Sequence, residues 1–192
     1  MAATRKMPPR MPSQIVAARV HLAGWDPRQY AEDVRSGNAP LLPMLRGLVI
    51  HLFNKYQTVS RRLLPSWLRI KGGGTYPFLQ GKAVGRTPKE TLGLQPGDLV
   101  EVKSEEEILQ TLDKNNRNRG LRFGGGMLEY CGKRFRVLRR VEKIIDERTG
   151  KMLHFPGDAI ILDGIVCNAK YELFCPREIY SYWREIWLRR VV

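Results

Sequence analysis

After Pro43, apolar residues return every three or four positions. Leu45, Leu48, Val49, Leu52, Phe53 and Tyr56 fall on one side of a predicted helix. Arg46, Lys55, Arg61 and Arg62 are left for the other side. The stripe is expected to pack on the protein's own barrel or on a subunit. A partner's groove and an anionic membrane surface are the competing readings. A shorter helix is predicted from Asp26 to Ser36, with Asp26 as N-cap, Pro27 in the first turn and Gly37 just past the end. Beyond residue 90 the period shortens to that of strands. Pro96-Gly97-Asp98 launches Leu99 to Val102, and Pro156-Gly157-Asp158 launches Ala159 to Leu162. Between them, Ser104 and Glu107 have the spacing of a capping box for a helix reaching about Leu112. Phe135 and Val137 share one strand face, and the alternation slips at Leu138-Arg139, where a bulge is expected. Glu147 to Gly150 reads as a hairpin loop into a strand from Lys151 to Phe155.

These elements predict a mainly β protein with N-terminal helices, the strands closing into a small, partly open barrel. Lys71-Gly72-Gly73-Gly74 marks a break. The chain therefore divides into a helical extension, residues 1–70, and a barrel, residues 71–192. Neither glycine run carries the Gly-Lys-Ser/Thr ending of a phosphate loop.

Charge sharpens this division. Residues 1–90 carry 15 Lys and Arg against 4 Asp and Glu, whereas residues 91–192 carry 18 against 15. The extension is thus a basic segment on a nearly balanced domain, which points to an anionic partner. An acidic protein is the expected partner. Non-specific nucleic acid and self-association are further options. The odd cysteine count argues against a complete disulfide framework and for reduced thiols. No secretory h-region or apolar run of spanning length is evident, and a cytoplasmic protein is expected.

Cys131, Cys167 and Cys175 each adjoin a turn signal, as Cys131-Gly132, Cys167-Asn168 and Cys175-Pro176. Thiolates beside strand ends can converge on one ion, with zinc preferred over iron or copper. Cys167 and Cys175 flank a short loop, Cys131 would come from another strand end, and His154 is the candidate fourth ligand. The plain alternative is that the thiols are small core hydrophobes.

The stretches Leu94 to Ser104, Met127 to Val137 and Tyr182 to Leu188 resemble a little-characterised bacterial protein family whose members occur near biosynthetic genes. The resemblance spans about residues 70–191. It implies that Cys131, Cys167 and Cys175 match family cysteines. A histidine often lies between the last two in that family. Here Tyr171 and Glu172 occupy the loop, so a four-ligand site needs His154 as a substitute. More distantly, Gly97 to Val102 and Tyr130 to Val137 resemble strands of SH3-like barrels, including the nitrile hydratase β-subunit domain. That is a likeness of fold and carries no activity.

Other chemistry has less in the sequence to rest on. Gly-x-Ser-x-Gly and His-Glu-x-x-His are absent. Glu105, Glu106 and Glu107 read as charges favoured at a helix N-terminus rather than as acid and base. A Cys-His dyad would pair Cys131 or Cys167 with His154. Lys133 to Arg136, with Arg139 and Arg140, could meet phosphates while Phe135 or Trp183 stacks on bases. Phe135 is nonetheless at core parity, and Tyr180, Tyr182, Trp183 and Trp187 suit closure of the barrel or a partner contact. The sequence therefore favours a metal-stabilised accessory or binding module of a biosynthetic pathway. Its alternatives are a small thiolate-ligated metalloenzyme and a nucleic-acid-binding module.

Overall fold

The computed structural model describes residues 32, 34–37, 41–146, 150–155, 157–167, 171 and 180–191. Its centre is a curled, five-stranded antiparallel sheet in the form of a half-barrel, in the order β8-β7-β4-β1-β9. The strands are β1 (Leu99–Val102), β4 (Arg134–Arg140), β7 (Ile160–Val166), β8 (Tyr180–Trp183) and β9 (Leu188–Arg190). Two small ladders lie outside it, β2 (Arg117–Asn118) with β3 (Leu121–Arg122), and β5 (Lys143–Asp146) with β6 (Lys151–His154). Two helices are α1 (Leu41–Leu63) and α2 (Glu105–Gln110).

Local chemistry explains the launch points. Gly97 holds φ at 93°, which its lack of a Cβ permits, and its N–H reaches Val137 O at 2.7 Å. Asp98 closes the same turn by accepting the Gln95 N–H at 2.9 Å. β1 thus starts already fastened to β4. The expected capping box is present at α2. Ser104 Oγ accepts from Glu107 N, and the Glu107 carboxylate accepts from Ser104 N at 3.0 Å. The hydrogen bonds from Ser104 hold the Glu107 carboxyl below its usual range, as befits a cap at a helix start. The slip at Leu138-Arg139 is a true bulge, with the β4–β7 register shifting between Val137 and Arg139. Most of the predicted helix from Asp26 lies outside the described residues. At its end Ser36 N donates to Glu32 O at 2.8 Å, and Gly37 adopts φ 78° as predicted.

Apolar side chains from the sheet, α2 and the final 3-10 turn (Glu185–Trp187) make one core. Val100, Val102, Ile108, Leu162, Trp183 and Trp187 are completely buried. Phe123 meets both Trp rings edge to face, at centroid distances of 6.2 and 5.3 Å. Gly81 lies against the chain just past α2, where an added Cβ would collide with the backbone oxygens of Leu112 and Asp113.

Among the described residues, three buried charged side chains, Asp158, Arg184 and Glu185, sit among these apolar groups. Glu185, with no solvent exposure, accepts the backbone N–H groups of Leu92, Gly93 and Leu94 and pairs with Arg140. Arg184 donates to the backbone oxygens of Asn118, Arg119 and Asp158. Asp158 faces the Arg184 guanidinium at 4.0 Å and accepts Glu185 N at 2.7 Å.

The helical extension departs from expectation. Apart from Phe53, which is half-buried and meets Phe78 edge to face, the stripe of α1 faces outward: Leu45 is 48% and Leu52 57% exposed. The buried positions are instead Gly47, Gln57 and Ser60. The reason is polar. Gln57 Nε2 donates to Ile70 O at 2.9 Å and Gly74 O at 3.0 Å, and Asn54 exchanges two hydrogen bonds with the Tyr76 backbone. These amides satisfy an irregular segment that leucines could not satisfy. Packing of the stripe on the protein's own barrel is therefore corrected.

Removing one partner of the buried ion set leaves another charge uncompensated. Glu185→Ala should cost about 3–5 kcal/mol of folding stability. Urea unfolding measures it, and a loss below about 1 kcal/mol would show that the carboxylate is not the tie described.

Candidate functional site

Cys131 ends a 3-10 turn (Gly125–Tyr130), its N–H reaching Leu128 O at 3.2 Å. Gly132, at φ 74°, then lets the chain reverse, and Gly132 N meets Val102 O at 2.9 Å. The turn signal beside this cysteine thus has a definite purpose: it delivers the chain into β4 alongside β1. The Cys131 side chain is half-buried and packs on the core. Burial first, and then the Glu105 charge, push its thiol up to about 11.

Cys167 follows the last residue of β7 and is half-buried. Val137 pairs with Leu162 in the antiparallel β4–β7 ladder, so the start of β4 and the end of β7 share one end of the sheet. Tyr130, the residue before Cys131, donates its hydroxyl to Val166 O, the residue before Cys167, at 3.4 Å. Burial, then Glu129, then Cys167 raise the Tyr130 hydroxyl above its ordinary value. Neither Cys131 nor Cys167 forms a disulfide.

Cys175 lies outside the described residues, in the connection from Cys167 to Tyr180. Tyr180 pairs with Val166, so that connection starts and finishes at the same end of the sheet. His154 is exposed and pairs with Lys143, past the other end of β4. The seven residues of β4 span about 20 Å of extended chain between that end and the Cys131 turn. β4 therefore lies along the chain between the Cys131 turn and the hairpin that carries His154. Among the described residues, no three His, Cys, Asp or Glu side chains gather where they could hold a metal ion.

The basic strand is largely committed to the protein itself. Arg134 pairs with Glu101 at 3.2 Å, Arg136 donates to Gly97 O at 3.0 Å, and Arg140 holds Glu185. Trp183 is fully buried, so it offers no face to a base. Phe135 is half-buried against Tyr130, in keeping with its core parity. Lys133 and Arg139 remain exposed.

Sequence reasoning missed the ion set of Asp158, Arg184 and Glu185. One signal was available: an Arg-Glu pair set between Trp183 and Trp187, where the flanking pattern demands burial. It also missed Asn116, which accepts from Gly81 N at 2.8 Å and donates to Leu79 O at 2.9 Å.

The raised Cys131 thiol has a measurable consequence. Its contribution to stability is fully present below pH 9, the ordinary thiol value, and is lost as pH rises toward 11. In metal-free protein, iodoacetamide should label Cys131 much more slowly than an unfolded control at pH 8. Equal labelling rates, followed by peptide mass spectrometry, would contradict the burial described. No family model, curated protein or solved structure matches this sequence.

Proposed function

We propose that this chain is a metal-stabilised accessory or binding module of a bacterial biosynthetic pathway, built on a small SH3-like barrel. The curl of the five-stranded sheet, its short antiparallel strands and the β4 bulge support the barrel reading. The observation that carries the metal is the register of β4, β7 and β8. It sets Cys131 and Cys167 at one end of the sheet and opens and closes the Cys175 connection there. Three soft sulfurs suit zinc, and Cys131, Cys167 and Cys175 would hold it. His154 falls outside this grouping. Loading the site takes the proton from each thiol, so affinity weakens as the solution is made more acidic. A metal there would tie the long β7–β8 connection to the Cys131 turn, a stabilising role suited to a half-buried ligand packed on the core.

Metal content of untagged protein, measured with its absorption spectrum, tests this reading. One zinc per chain is expected. Cys167→Ser and Cys175→Ser should each lose it and lower the melting temperature. Stable, metal-free protein with no response to either substitution would refute the site. Coloured iron or copper would instead move the chain to the thiolate-ligated metalloenzyme reading.

A further inference from the structure

The outward face of α1 is the largest feature that the metal reading leaves unused. Leu41, Leu45, Leu48, Leu52, Val59 and Leu63 are all exposed, as is Tyr56 between them. Their spacing, with Tyr56, repeats after 11 residues, from Leu41 to Leu52 and again to Leu63. That period is close to the natural turn of an α-helix, so the row runs nearly straight along α1. Twenty-three residues make it about 35 Å long. Leu42 and Val49 widen it to an arc of about 120° from Leu48. Beyond the helix the apolar surface continues through Trp67, which is 79% exposed, and Leu68 and Ile70.

The charges contributed by the helix and its flanking chain have a single sign. Residues 34–89 contain ten Lys and Arg and no Asp or Glu. Lys55 and Arg62 border the apolar row on one side, and Arg46 lies toward the other. The opposite face of the helix is already taken by the amide contacts of Asn54 and Gln57. The protein thus presents a convex, apolar ridge bordered by cations.

We propose that this ridge docks on an anionic lipid surface, with α1 lying in the plane of the headgroups. Three observations select that occupant. A second copy would offer only cations to cations, since no acid lies in this stretch. A two-helix seam is also narrower than the arc and would leave Leu42, 78% exposed, in water. A lipid surface is negative throughout and has no edges, so it covers the arc and the Trp67 corner together. Long Lys and Arg side chains at the border reach up to the phosphates while their stems lie along the acyl boundary. Tryptophan suits that boundary by its amphipathic ring. No helix among the described residues is long and apolar enough to cross a membrane, which fits a helix that lies on one.

Flotation of the full chain with vesicles tests the proposal. Vesicles of phosphatidylcholine with about one third phosphatidylglycerol should capture it at least tenfold better than phosphatidylcholine alone. Raising NaCl should weaken the capture. Leu45→Glu with Leu52→Glu, and separately Lys55→Glu with Arg62→Glu, should each reduce it at least tenfold. These side chains are exposed, and an unchanged urea transition confirms that the variants fold. Binding should also shift the fluorescence to the blue, a shift lost in Trp67→Phe. Capture that is absent, or equal in the Leu45→Glu, Leu52→Glu variant, overturns the proposal. So does a dimer in light scattering, or binding of an acidic amphipathic peptide, if either occurs without vesicle capture.

Discussion

The buried carboxylate of Glu185 governs the arrangement of the β domain. A charge without solvent is tolerable only when surrounded by donors, and here three consecutive backbone N–H groups and a guanidinium supply them. Those donors come from the strand-free run before β1 and from the end of β4. The neighbouring Arg184 performs the complementary task, collecting backbone oxygens from the β2–β3 turn and from Asp158. Two adjacent residues of opposite charge thus fix four separate segments around the Trp183 and Trp187 rings. The apolar core supplies most of the driving force, but it is non-directional. The ions determine which loops close over it.

What could be read from the sequence was local. Gly97, the Ser104–Glu107 box and the Leu138 slip each rest on residues within a few positions of one another, and each is found where expected. The direction of α1 could not be read in the same way. Periodicity identifies a stripe but not what the opposite side offers, and Asn54 and Gln57 find their partners only once residues 70–76 have folded back. The Glu185 contacts were hidden for a related reason, because their backbone partners lie more than 90 residues earlier and Arg140 45 residues earlier. For the candidate site, the cysteines and their turns were visible, whereas strand register alone separates His154 from them.

The two functional proposals occupy different parts of the molecule. The cysteine end of the sheet concerns how the β domain holds the β7–β8 connection. The α1 ridge concerns where the molecule resides. They meet at the segment following the helix. Tyr76 packs on both Phe78 and Tyr171, and Tyr171 lies within the Cys167–Cys175 connection. Asn54 of α1 grips the backbone of that same Tyr76. The extension therefore meets the connection at the Tyr76–Tyr171 contact, where Arg46 of α1 also acts on the Tyr171 hydroxyl.

The bulge in β4 does more than bend a strand. Phe135 and Val137 point inward by ordinary alternation, which would next bring Arg139 inside and leave Arg140 in solvent. The extra residue at Leu138 reverses the order, so Arg139 is exposed and Arg140 reaches Glu185. One strand consequently delivers hydrocarbon to the core at its start and a cation at its finish. The identity of the counter-ion to Glu185 is thus encoded as a count of residues as much as a choice of them. Flattening the bulge with its residue count unchanged would keep every arginine in the chain and still exchange the one that faces the core, whereas deleting Leu138 would leave Arg140 in place.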